Sequence, residues 1–436
     1  MNKVTIVGAG LAGCEAAHQI ARQGIAVDLY EMKPEQYTPA HRYPGFAELV
    51  CSNSLRADRL ENAVGLLKEE MRVLGSLILE AADATKVPAG GALAVDRTAF
   101  SDYITHRIRE NPLIAVRHRQ VQSLKELEGI LVVASGPLTS DALSRDIAQR
   151  VGEEQLHFFD AAAPIVMGES LDYNKVFAAS RYGRGTEDYL NCPMNQQEYE
   201  AFYRELLLAE CAQLHGFEGE EVFEGCMPVE VMAKRGPQTL LFGPLKPVGL
   251  TAPDGTRPYA VVQLRKEDAQ GRMYNLVGFQ THLKFSEQKR VFSMIPGLEN
   301  AEFVRFGVMH KNTYLNSPKL LDAFYRLRSE PNLFFAGQMT GVEGYVESAA
   351  SGLYAGLAAA FFAKGKEFPP LSGKTAIGAL ARYVSSSASA DFQPMNITFG
   401  IIDPPEQRFR KKAEKNAFLS KRALEEVRSW ANRLEK

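Results

Sequence analysis

Val4-Thr-Ile-Val-Gly-Ala-Gly-Leu-Ala-Gly13 is the stretch that decides the fold, because a β-branched strand runs directly into a Gly-x-Gly-x-x-Gly turn. Apolar residues at helical spacing follow as far as Gly24, and a second strand-like run over residues 25–30 ends at Glu31. A strand, a glycine turn, a helix and a strand in about thirty residues predict the βαβ unit of a dinucleotide-binding fold.

The three glycines of the turn have different physical roles. Gly8 permits the tight turn, Gly10 lets a pyrophosphate approach the backbone, and Gly13 lets the helix pack closely on the strand. The helix N-terminus faces the phosphates, and the carboxylate at the end of the second strand can accept hydrogen bonds from ribose hydroxyls. The alternative is a plain tight turn. The predicted cofactor-binding residues here are Gly8, Ala9, Gly10, Leu11, Ala12, Gly13 and Glu31.

A second glycine-rich segment, Leu333-Phe-Phe-Ala-Gly-Gln-Met-Thr-Gly-Val-Glu-Gly-Tyr345, favours FAD over NAD. A buried strand opens on a glycine here and a helix of small residues follows, so a second stretch of backbone can touch the same cofactor. Flavoproteins with two dinucleotide folds close around FAD in this way, whereas the alternative is one more strand, turn and helix in the sheet. The predicted contacts outside the first turn are Gly136, which follows another short strand, and Gly337, Gln338, Gly341 and Tyr345.

Composition and charge exclude several classes of protein. The 436 residues are 45% apolar and 23% charged, which is typical of a globular chain with two or three lobes. A net charge of -2 does not attract a polyanion, so any nucleic-acid partner needs a local basic patch. The candidate patches are Lys234-Arg235, Lys284 with Lys289-Arg290, and residues 408–415, and such a patch is more often a solvated face than a nucleic-acid groove. The five cysteines form no CxxC pair, the eight histidines show no metal-binding spacing, and no signal peptide or membrane-length apolar run is present. We therefore predict a cytoplasmic protein without a metal site and without a membrane association.

The pattern along the chain predicts an α/β fold with an inserted second domain. A Rossmann-like FAD-binding domain of the two-dinucleotide-fold type takes residues 1–164 and 301–375. Residues 165–300 read as a largely antiparallel insertion, with strand-like runs at 240–242, 259–263 and 274–277. Residues 376–436 form a C-terminal helical segment, and a core helix is predicted over residues 353–363.

Two cysteines stand in distinctive surroundings. Cys51 begins Cys-Ser-Asn-Ser after an apolar stretch, and Cys226 lies between a glycine and a turn-forming proline in Phe223-Glu-Gly-Cys-Met-Pro228. A nucleophilic thiol needs nearby positive charge or a helix terminus to lower its pKa, and the alternative for either residue is a structural thiol. Without a second cysteine close to either one, the chain lacks the redox pair of a flavin disulfide reductase.

Eight segments spread along nearly the whole chain have a distinctive sequence: residues 8–13, Phe46-Ala-Glu-Leu-Val-Cys-Ser-Asn-Ser-Leu55, Val87-Pro-Ala-Gly-Gly-Ala-Leu-Ala-Val-Asp-Arg97, Tyr189-Leu-Asn-Cys-Pro-Met194, Glu224-Gly-Cys-Met-Pro228, Gly243-Pro-Leu-Lys-Pro-Val-Gly249, Gly278-Phe-Gln-Thr-His282 and residues 337–352. Together and in this order they resemble one family, that of the bacterial folate- and FAD-dependent tRNA (uracil-5-)-methyltransferases. The larger flavin enzymes that modify wobble uridines share the FAD segments but carry a longer C-terminal region.

This resemblance implies a chemistry that composition and spacing do not. Reduced FAD accepts the methylene of 5,10-methylenetetrahydrofolate and passes it to C5 of the T-loop uridine of tRNA, with reducing equivalents from the flavin or NAD(P)H. The family's nucleophile motif falls on Cys226, whose thiolate adds to C6 of uracil, and its second functional cysteine falls on Cys51, beside the flavin. Tyr345 is expected near the flavin or folate ring, with Lys284 and Phe285 as weaker candidates for holding folate.

The sequence departs from related flavoproteins at two positions. Gln338 stands where many of them place an acid, and Ser135 stands where a threonine is usual. Gln338 can still donate a hydrogen bond to a ribityl or phosphate oxygen. Two other functions stay open on the residues alone: an NAD(P)H-dependent flavin oxidoreductase acting on a small molecule, and a catalytically idle FAD-bound protein that binds tRNA or acts as a chaperone.

Overall fold

Sixteen strands and thirteen α-helices make up the part of the chain that the computed structural model describes: residues 3–151, 156–161, 163–183, 188–212, 227–266, 271, 273–307, 309–386, 392 and 394–434. The strands are β1 (Lys3–Val7), β2 (Ala26–Glu31), β3 (Ser54–Ala57), β4 (Lys86–Val87), β5 (Ala92–Val95), β6 (Ile114–His118), β7 (Ile130–Val133), β8 (Leu156–Ala161), β9 (Ile165–Met167), β10 (Phe177–Ala178), β11 (Tyr189–Met194), β12 (Ala260–Lys266), β13 (Met273–Leu276), β14 (Phe303–Arg305), β15 (Met309–Tyr314) and β16 (Leu333–Phe335). The helices are α1 (Leu11–Arg22), α2 (Ala63–Val73), α3 (Leu77–Ala84), α4 (Arg97–Arg109), α5 (Asp141–Val151), α6 (Gln196–Leu208), α7 (Val229–Lys234), α8 (Pro237–Phe242), α9 (Phe285–Phe292), α10 (Ser317–Leu320), α11 (Tyr345–Ala363), α12 (Ala376–Ser386) and α13 (Lys412–Leu434).

A parallel sheet with the strand order β16-β7-β1-β2-β6 forms the first lobe. Its central strand β1 pairs with β2 on one side and with β7 on the other, so that Ile6 lies opposite Leu29 and Val132. Residues 4–7 are buried throughout, which explains a run of apolar and β-branched residues in place of an alternating pattern. The predicted α/β fold with a glycine turn after its first strand is confirmed.

Two glycines of α11 bring the second glycine-rich segment against the first. A Cβ atom on Gly352 would lie 2.2 Å from the carbonyl oxygen of Ala12, and one on Gly356 would lie 2.8 Å from the Cα atom of Ala16. Glycine is therefore required for α11 to lie this close to α1. By length and composition α11 could cross a membrane, but 94% of its most apolar window is buried in the protein, as in a core helix.

The inserted lobe is a six-stranded antiparallel sheet, in the order β10-β11-β12-β13-β9-β14, that packs against helices α6 to α9. Strands β12 and β13 confirm two of the predicted strands, whereas the prediction of a strand at residues 240–242 was wrong. Those residues end helix α8, because Pro237 suits the first turn of a helix and only Leu240 among the three is buried. The last strand of this sheet ends at Arg305. Strands β8 and β15, which come just before β9 and just after β14 in the sequence, pair with each other as an antiparallel ribbon.

The C-terminal segment packs onto the first lobe through two helices. Trp430 of α13 is fully buried against Tyr354 and Phe368, with its ring centroids 6.1 and 5.6 Å from theirs. The carboxylate of Glu70 accepts hydrogen bonds from the first backbone N–H groups of α12, at 2.7 Å from Ala376 N. The segment is therefore an integral part of the first lobe's core.

Candidate functional site

A cleft opens at the carboxyl ends of β1, β7 and β16, where open α/β sheets bind their ligands. It encloses about 1340 Å³ when the part open to solvent is counted, which exceeds the usual size of a pocket for a drug-sized ligand. Its walls are the glycine turn, residues 134–140, residues 337–338 and residues 47–51. We call it the first cleft.

The glycine turn has the shape that a bound pyrophosphate requires. Gly8 has a φ of +101°, and a Cβ atom on Gly13 would lie 1.8 Å from the carbonyl oxygen of Gly8. At Gly10, by contrast, no atom lies within 4 Å of an ideal Cβ position, so this part of the backbone is open to the cleft. Helix α1 begins at the next residue, and its N-terminal N–H groups are available to an anion.

Glu31 lies at the floor of the first cleft and is buried. Its carboxylate accepts hydrogen bonds from Ala9 N at 2.8 Å and from Lys33 N at 3.0 Å. The ammonium group of Lys33 is itself buried and donates to the carbonyl oxygens of Tyr43 and Gly45, at 3.1 and 2.5 Å. Lys33 therefore fixes the loop beside the acid, a role that its position in a proline-rich stretch did not indicate.

The second glycine-rich segment is only partly directed at the cleft. Gly337 and Gln338 line it, as does Gly136, which has a φ of +74° and no atom within 4 Å of an ideal Cβ position. Gly341 lines neither this cleft nor the second one described below, since a Cβ atom there would lie 2.4 Å from the ring of Phe392. Its φ of +83° identifies it as a turn residue.

Cys51 and Tyr345 meet at the inner end of the first cleft. The Tyr345 hydroxyl accepts hydrogen bonds from the backbone N–H groups of Cys51 at 2.7 Å and Ser52 at 3.2 Å. Burial raises the pKa of Tyr345 well above its usual value, so the hydroxyl keeps its proton. A phenol oxygen that accepts two hydrogen bonds still has that proton to donate. Guanidinium groups from both lobes, those of Arg97 and Arg305, bind the Cys51 carbonyl oxygen at 3.2 and 3.1 Å.

A second cleft of about 1040 Å³ lies between the lobes and shares Cys51, Gln338 and Tyr345 with the first. Its lining includes the polar side chains of Arg56, Arg265, Asn275, Gln280, Glu343 and Asn396. The buried guanidinium of Arg265, from the inserted lobe, donates to Asn53 Oδ1 at 2.8 Å and to Ser52 Oγ at 2.6 Å in the first lobe. Sequence reasoning missed this cleft because its two walls are far apart in the chain.

A buried lysine supports the floor of the second cleft. Lys68 donates hydrogen bonds to the carbonyl oxygens of Leu55, Arg56 and Ala57, at 2.8, 3.1 and 2.7 Å. Burial lowers the pKa of this ammonium group to about 8. Arg56 has a φ of +62° and forms an ion pair with the fully buried Glu347 of α11. These contacts hold Arg56 in an uncommon backbone conformation at the cleft wall.

Of the three remaining predicted residues, two lie elsewhere and one is not among the described residues. Cys226 belongs to residues 213–226, which lie outside the described part of the chain. Lys284 forms an ion pair with Glu210, and Phe285 is exposed and stacks on Phe306 with ring centroids 4.9 Å apart. Neither Lys284 nor Phe285 lines either cleft.

Known proteins resemble this chain over its full length. The family described as "Glucose inhibited division protein A" (GidA) matches residues 3–367. A protein of Acetivibrio thermocellus named "Methylenetetrahydrofolate--tRNA-(uracil-5-)-methyltransferase TrmFO" is 60% identical over 431 residues, which is 99% of each chain. Proteins with the same name from Desulforamulus reducens and Listeria monocytogenes are 60% and 58% identical, over 98% and 99% of this chain and 97% and 99% of their own.

Solved structures support the fold. The structure of Aquifex aeolicus GidA in its form II crystal matches with a TM-score of 0.72 at 16% identity, over 99% of this chain and 73% of that chain. At this identity the likeness concerns the fold alone.

Proposed function

The chain belongs to the GidA family, in the group of methylenetetrahydrofolate--tRNA-(uracil-5-)-methyltransferases, and we propose from this premise which cofactor, tRNA position and residues its reaction uses. The enzyme carries out folate-dependent methylation of a uracil in tRNA at C5. The observation that supports the finer assignment is the meeting of two clefts at Cys51, Gln338 and Tyr345. One cleft suits a dinucleotide, and the other suits a polar substrate.

The first cleft fits FAD. Gly10 and Gly136 leave backbone open where a pyrophosphate must approach, and the N-terminus of α1 favours the negative charge. Glu31 is placed to accept hydrogen bonds from ribose hydroxyls, and Gln338 can donate to the cofactor where the two clefts join. Bound FAD supplies the redox chemistry that converts a folate methylene group into a methyl group. We propose NAD(P)H as the source of the reducing equivalents.

The acceptor is proposed to be uridine 54 in the T-loop of tRNA. C5 of uracil is a weak nucleophile until a thiolate adds to C6 and moves an electron pair onto C5 and O4. Cys226 is proposed to make that bond, after which C5 attacks the methylene carbon. C5 then loses its proton as the donor amine leaves, and a hydride that bound FAD would supply converts the methylene into a methyl group and expels the Cys226 thiolate. Because a folded tRNA elbow shields the base, the uridine must leave its stack to reach a thiol.

Cys51 and Tyr345 are proposed to act at the junction of the clefts. Tyr345 holds the backbone of Cys51 and Ser52 and has a proton to donate to a ligand at the junction. Cys51 lies on the wall of both clefts, where its thiol can protect the nucleophile or assist the transfer. A tRNA substrate also implies a cytoplasmic location.

The test is nucleoside mass spectrometry of unmodified tRNA after incubation with the protein, NADPH and carbon-13 methylenetetrahydrofolate. We expect labelled 5-methyluridine in the T-loop and none when S-adenosylmethionine is the only carbon donor. An FAD-loaded preparation that leaves the tRNA unlabelled would favour a flavin oxidoreductase acting on a small molecule. Binding of tRNA that weakens steeply with salt would argue against that alternative.

The nucleophile is tested separately. Cys226→Ala should abolish label transfer while the protein still carries FAD, because the proposed FAD contacts come from the glycine turns of the first cleft. Wild-type transfer by this variant would sink the assignment of Cys226. No transfer by wild type and variant alike, despite salt-dependent tRNA binding, would instead favour an idle tRNA-binding protein.

A further inference from the structure

Outside both clefts, the inserted lobe brings a thiol, a carboxylate and an imidazole together. One ligand atom from each of Cys211, Glu230 and His282 lies within 4.8 Å of the other two. Glu230 is buried, and the other two side chains are partly exposed. We call this group the Cys–Glu–His cluster. Its members are 19 and 52 residues apart in the chain (230 − 211 and 282 − 230), so no local spacing motif could indicate it.

The backbone fixes all three residues of the cluster. Cys211 pairs with Leu283 in an antiparallel bridge, and the next residue, Ala212, donates its N–H to the carbonyl oxygen of His282 at 2.8 Å. The Glu230 carboxylate accepts hydrogen bonds from the backbone N–H of His282 at 2.9 Å and from the hydroxyl of Thr281 at 2.7 Å. The cluster is thus held in place before any ligand binds, and Thr281 orients the carboxylate as outer-shell residues orient metal ligands.

The imidazole and the carboxylate of the cluster are already in contact. His282 Nδ1 is buried and lies 2.5 Å from Glu230 Oε1, an ion pair when the ring is protonated, and a metal ion bound here would take the place of that proton. A buried ring nitrogen beside a carboxylate oxygen, with a thiol at the same point, is the arrangement of two or three ligands around one cation. The ligand atoms of a tetrahedral zinc ion stand roughly 3–4 Å apart, so small shifts suffice for coordination.

We propose that the Cys–Glu–His cluster is a zinc site with three protein ligands and a fourth position open to water. Thiolate and imidazole favour zinc over magnesium or calcium, which prefer oxygen ligands. The charges also match, since a thiolate and a carboxylate with a neutral imidazole balance a divalent cation. The proposal does not depend on FAD, folate or tRNA binding.

The site would also join two segments that matter to the proposed reaction. Cys211 comes shortly before residues 213–226 in the sequence and Glu230 comes four residues after Cys226. A zinc ion bound to both would therefore tie together the chain on either side of the proposed nucleophile. None of the three ligands lines either cleft, so the ion is not proposed to take part in the methyl transfer itself.

The test is a titration of the full-length protein with Zn²⁺ against a chelating indicator. The protein carries Cys51→Ala and Cys226→Ala, so that the two proposed active-site thiols cannot bind the metal. We expect one tightly bound ion per chain, and at least about tenfold weaker binding after Cys211→Ala or His282→Gln, since even outer-shell changes cost 10–100-fold. His106→Gln is the matched control, because His106 lies exposed on α4.

Two further measurements distinguish a loss of zinc binding from misfolding of the variants. Replacement of zinc by Co²⁺ should give a thiolate-to-cobalt absorption band that Cys211→Ala abolishes and His106→Gln retains. Zn²⁺ should raise the Tm of the parent but not of Glu230→Gln, which keeps a side chain of the same size. Equal zinc affinity in the parent and Cys211→Ala, or a cobalt band that survives this change, would overturn the proposal in favour of a metal-free hydrogen-bonded cluster.

Discussion

The glycine turns of the first cleft present backbone, whereas the second cleft is lined in part by long polar side chains from both lobes. At Gly10 and Gly136 the first lobe offers open peptide groups, which recognise a phosphate by shape and by N–H direction. The inserted lobe reaches across with the guanidinium groups of Arg265 and Arg305, which bind groups of the first lobe. The first kind of wall depends on steric fit, and the second depends on matched buried hydrogen bonds.

The backbone wall at the glycine turn should tolerate substitution less well than the hydrogen-bonded wall between the lobes, and Gly13→Val tests this. A Cβ atom there would lie 1.8 Å from the Gly8 carbonyl oxygen, which is backbone and cannot rotate away. We expect the free energy of unfolding to fall by at least about 3 kcal/mol, with loss of FAD binding. Urea denaturation and the flavin absorbance of the purified protein measure the two effects.

Gly10→Ala is the matched control in the same turn. The methyl group would meet no protein atom within 4 Å, so the unfolding free energy should change by no more than about 1 kcal/mol, the effect of alanine at a helix N-cap. FAD affinity should nevertheless fall, because the methyl group occupies the approach of the pyrophosphate. If Gly13→Val and Gly10→Ala lost equal stability, the close contact between Gly13 and Gly8 would not be the reason that glycine is needed at position 13.

The hydrogen-bonded wall is tested by Asn53→Leu. The fully buried Asn53 accepts from Arg265 Nε and donates to the carbonyl oxygens of Val95 and Lys266, at 3.0 and 2.8 Å. Leucine would leave these groups without that partner, so we expect a loss of about 2–3 kcal/mol in chemical denaturation.

The comparison residue for that change is Asn174. This exposed asparagine of the inserted lobe bonds only locally, to Asp172, and Asn174→Leu should cost no more than about 0.5 kcal/mol. Were Asn53→Leu equally mild, the contact between the lobes would not rest on matched buried hydrogen bonds.

The difference between the two kinds of wall also explains which parts of the site could be predicted from the sequence. The first cleft follows from contiguous residues, because a strand, a glycine turn and a helix fix one another's geometry locally, and the paired glycines of α11 fix the second segment. Arg265 and Asn53 are separated by 212 residues and meet only through the packing of two lobes. No periodicity or spacing encodes such a contact, and the same holds for the Cys–Glu–His cluster.

The wrong prediction of a strand at residues 240–242 has a related cause. The apolar run there is compatible with a strand, but Pro237 begins a helix instead. Gly341 is predicted to touch the cofactor because it shares a motif with Gly337, and the structure places it at a turn beside Phe392. Short segments fix secondary structure less firmly than the strand-to-helix unit around Gly8.

A smaller effect is expected at Tyr345, where the two clefts meet. Tyr345→Phe removes the oxygen that accepts from Cys51 N and Ser52 N, so stability should fall by about 1 kcal/mol. Methyl transfer should fall more than stability suggests, because the proton that the hydroxyl can donate is also lost. Tyr173→Phe, at an exposed tyrosine of the inserted lobe, is the control for both measurements. Full activity of Tyr345→Phe would restrict Tyr345 to a structural role.

The smallest expected effect concerns His18 of α1, the helix that follows the glycine turn. Burial, with a contribution from Arg22, lowers the pKa of this imidazole to about 4 from an ordinary 6.5. Between these values the unfolded chain binds more protons than the folded one, so the stability that the neutral imidazole contributes is lost as the pH falls through this window. For a shift of this size we expect a loss of about 0.7 kcal/mol between pH 7 and pH 6.

The assignment of that loss to one histidine can be checked by substitution. His18→Gln removes the titrating group and should flatten the pH dependence by about this amount, whereas His106→Gln on the exposed face of α4 should leave it unchanged. Urea denaturation at both pH values measures the difference. If His18→Gln lost as much stability between pH 7 and pH 6 as the wild type, another titrating group would cause the loss. His18 would then not be buried enough in the folded protein to keep its imidazole neutral.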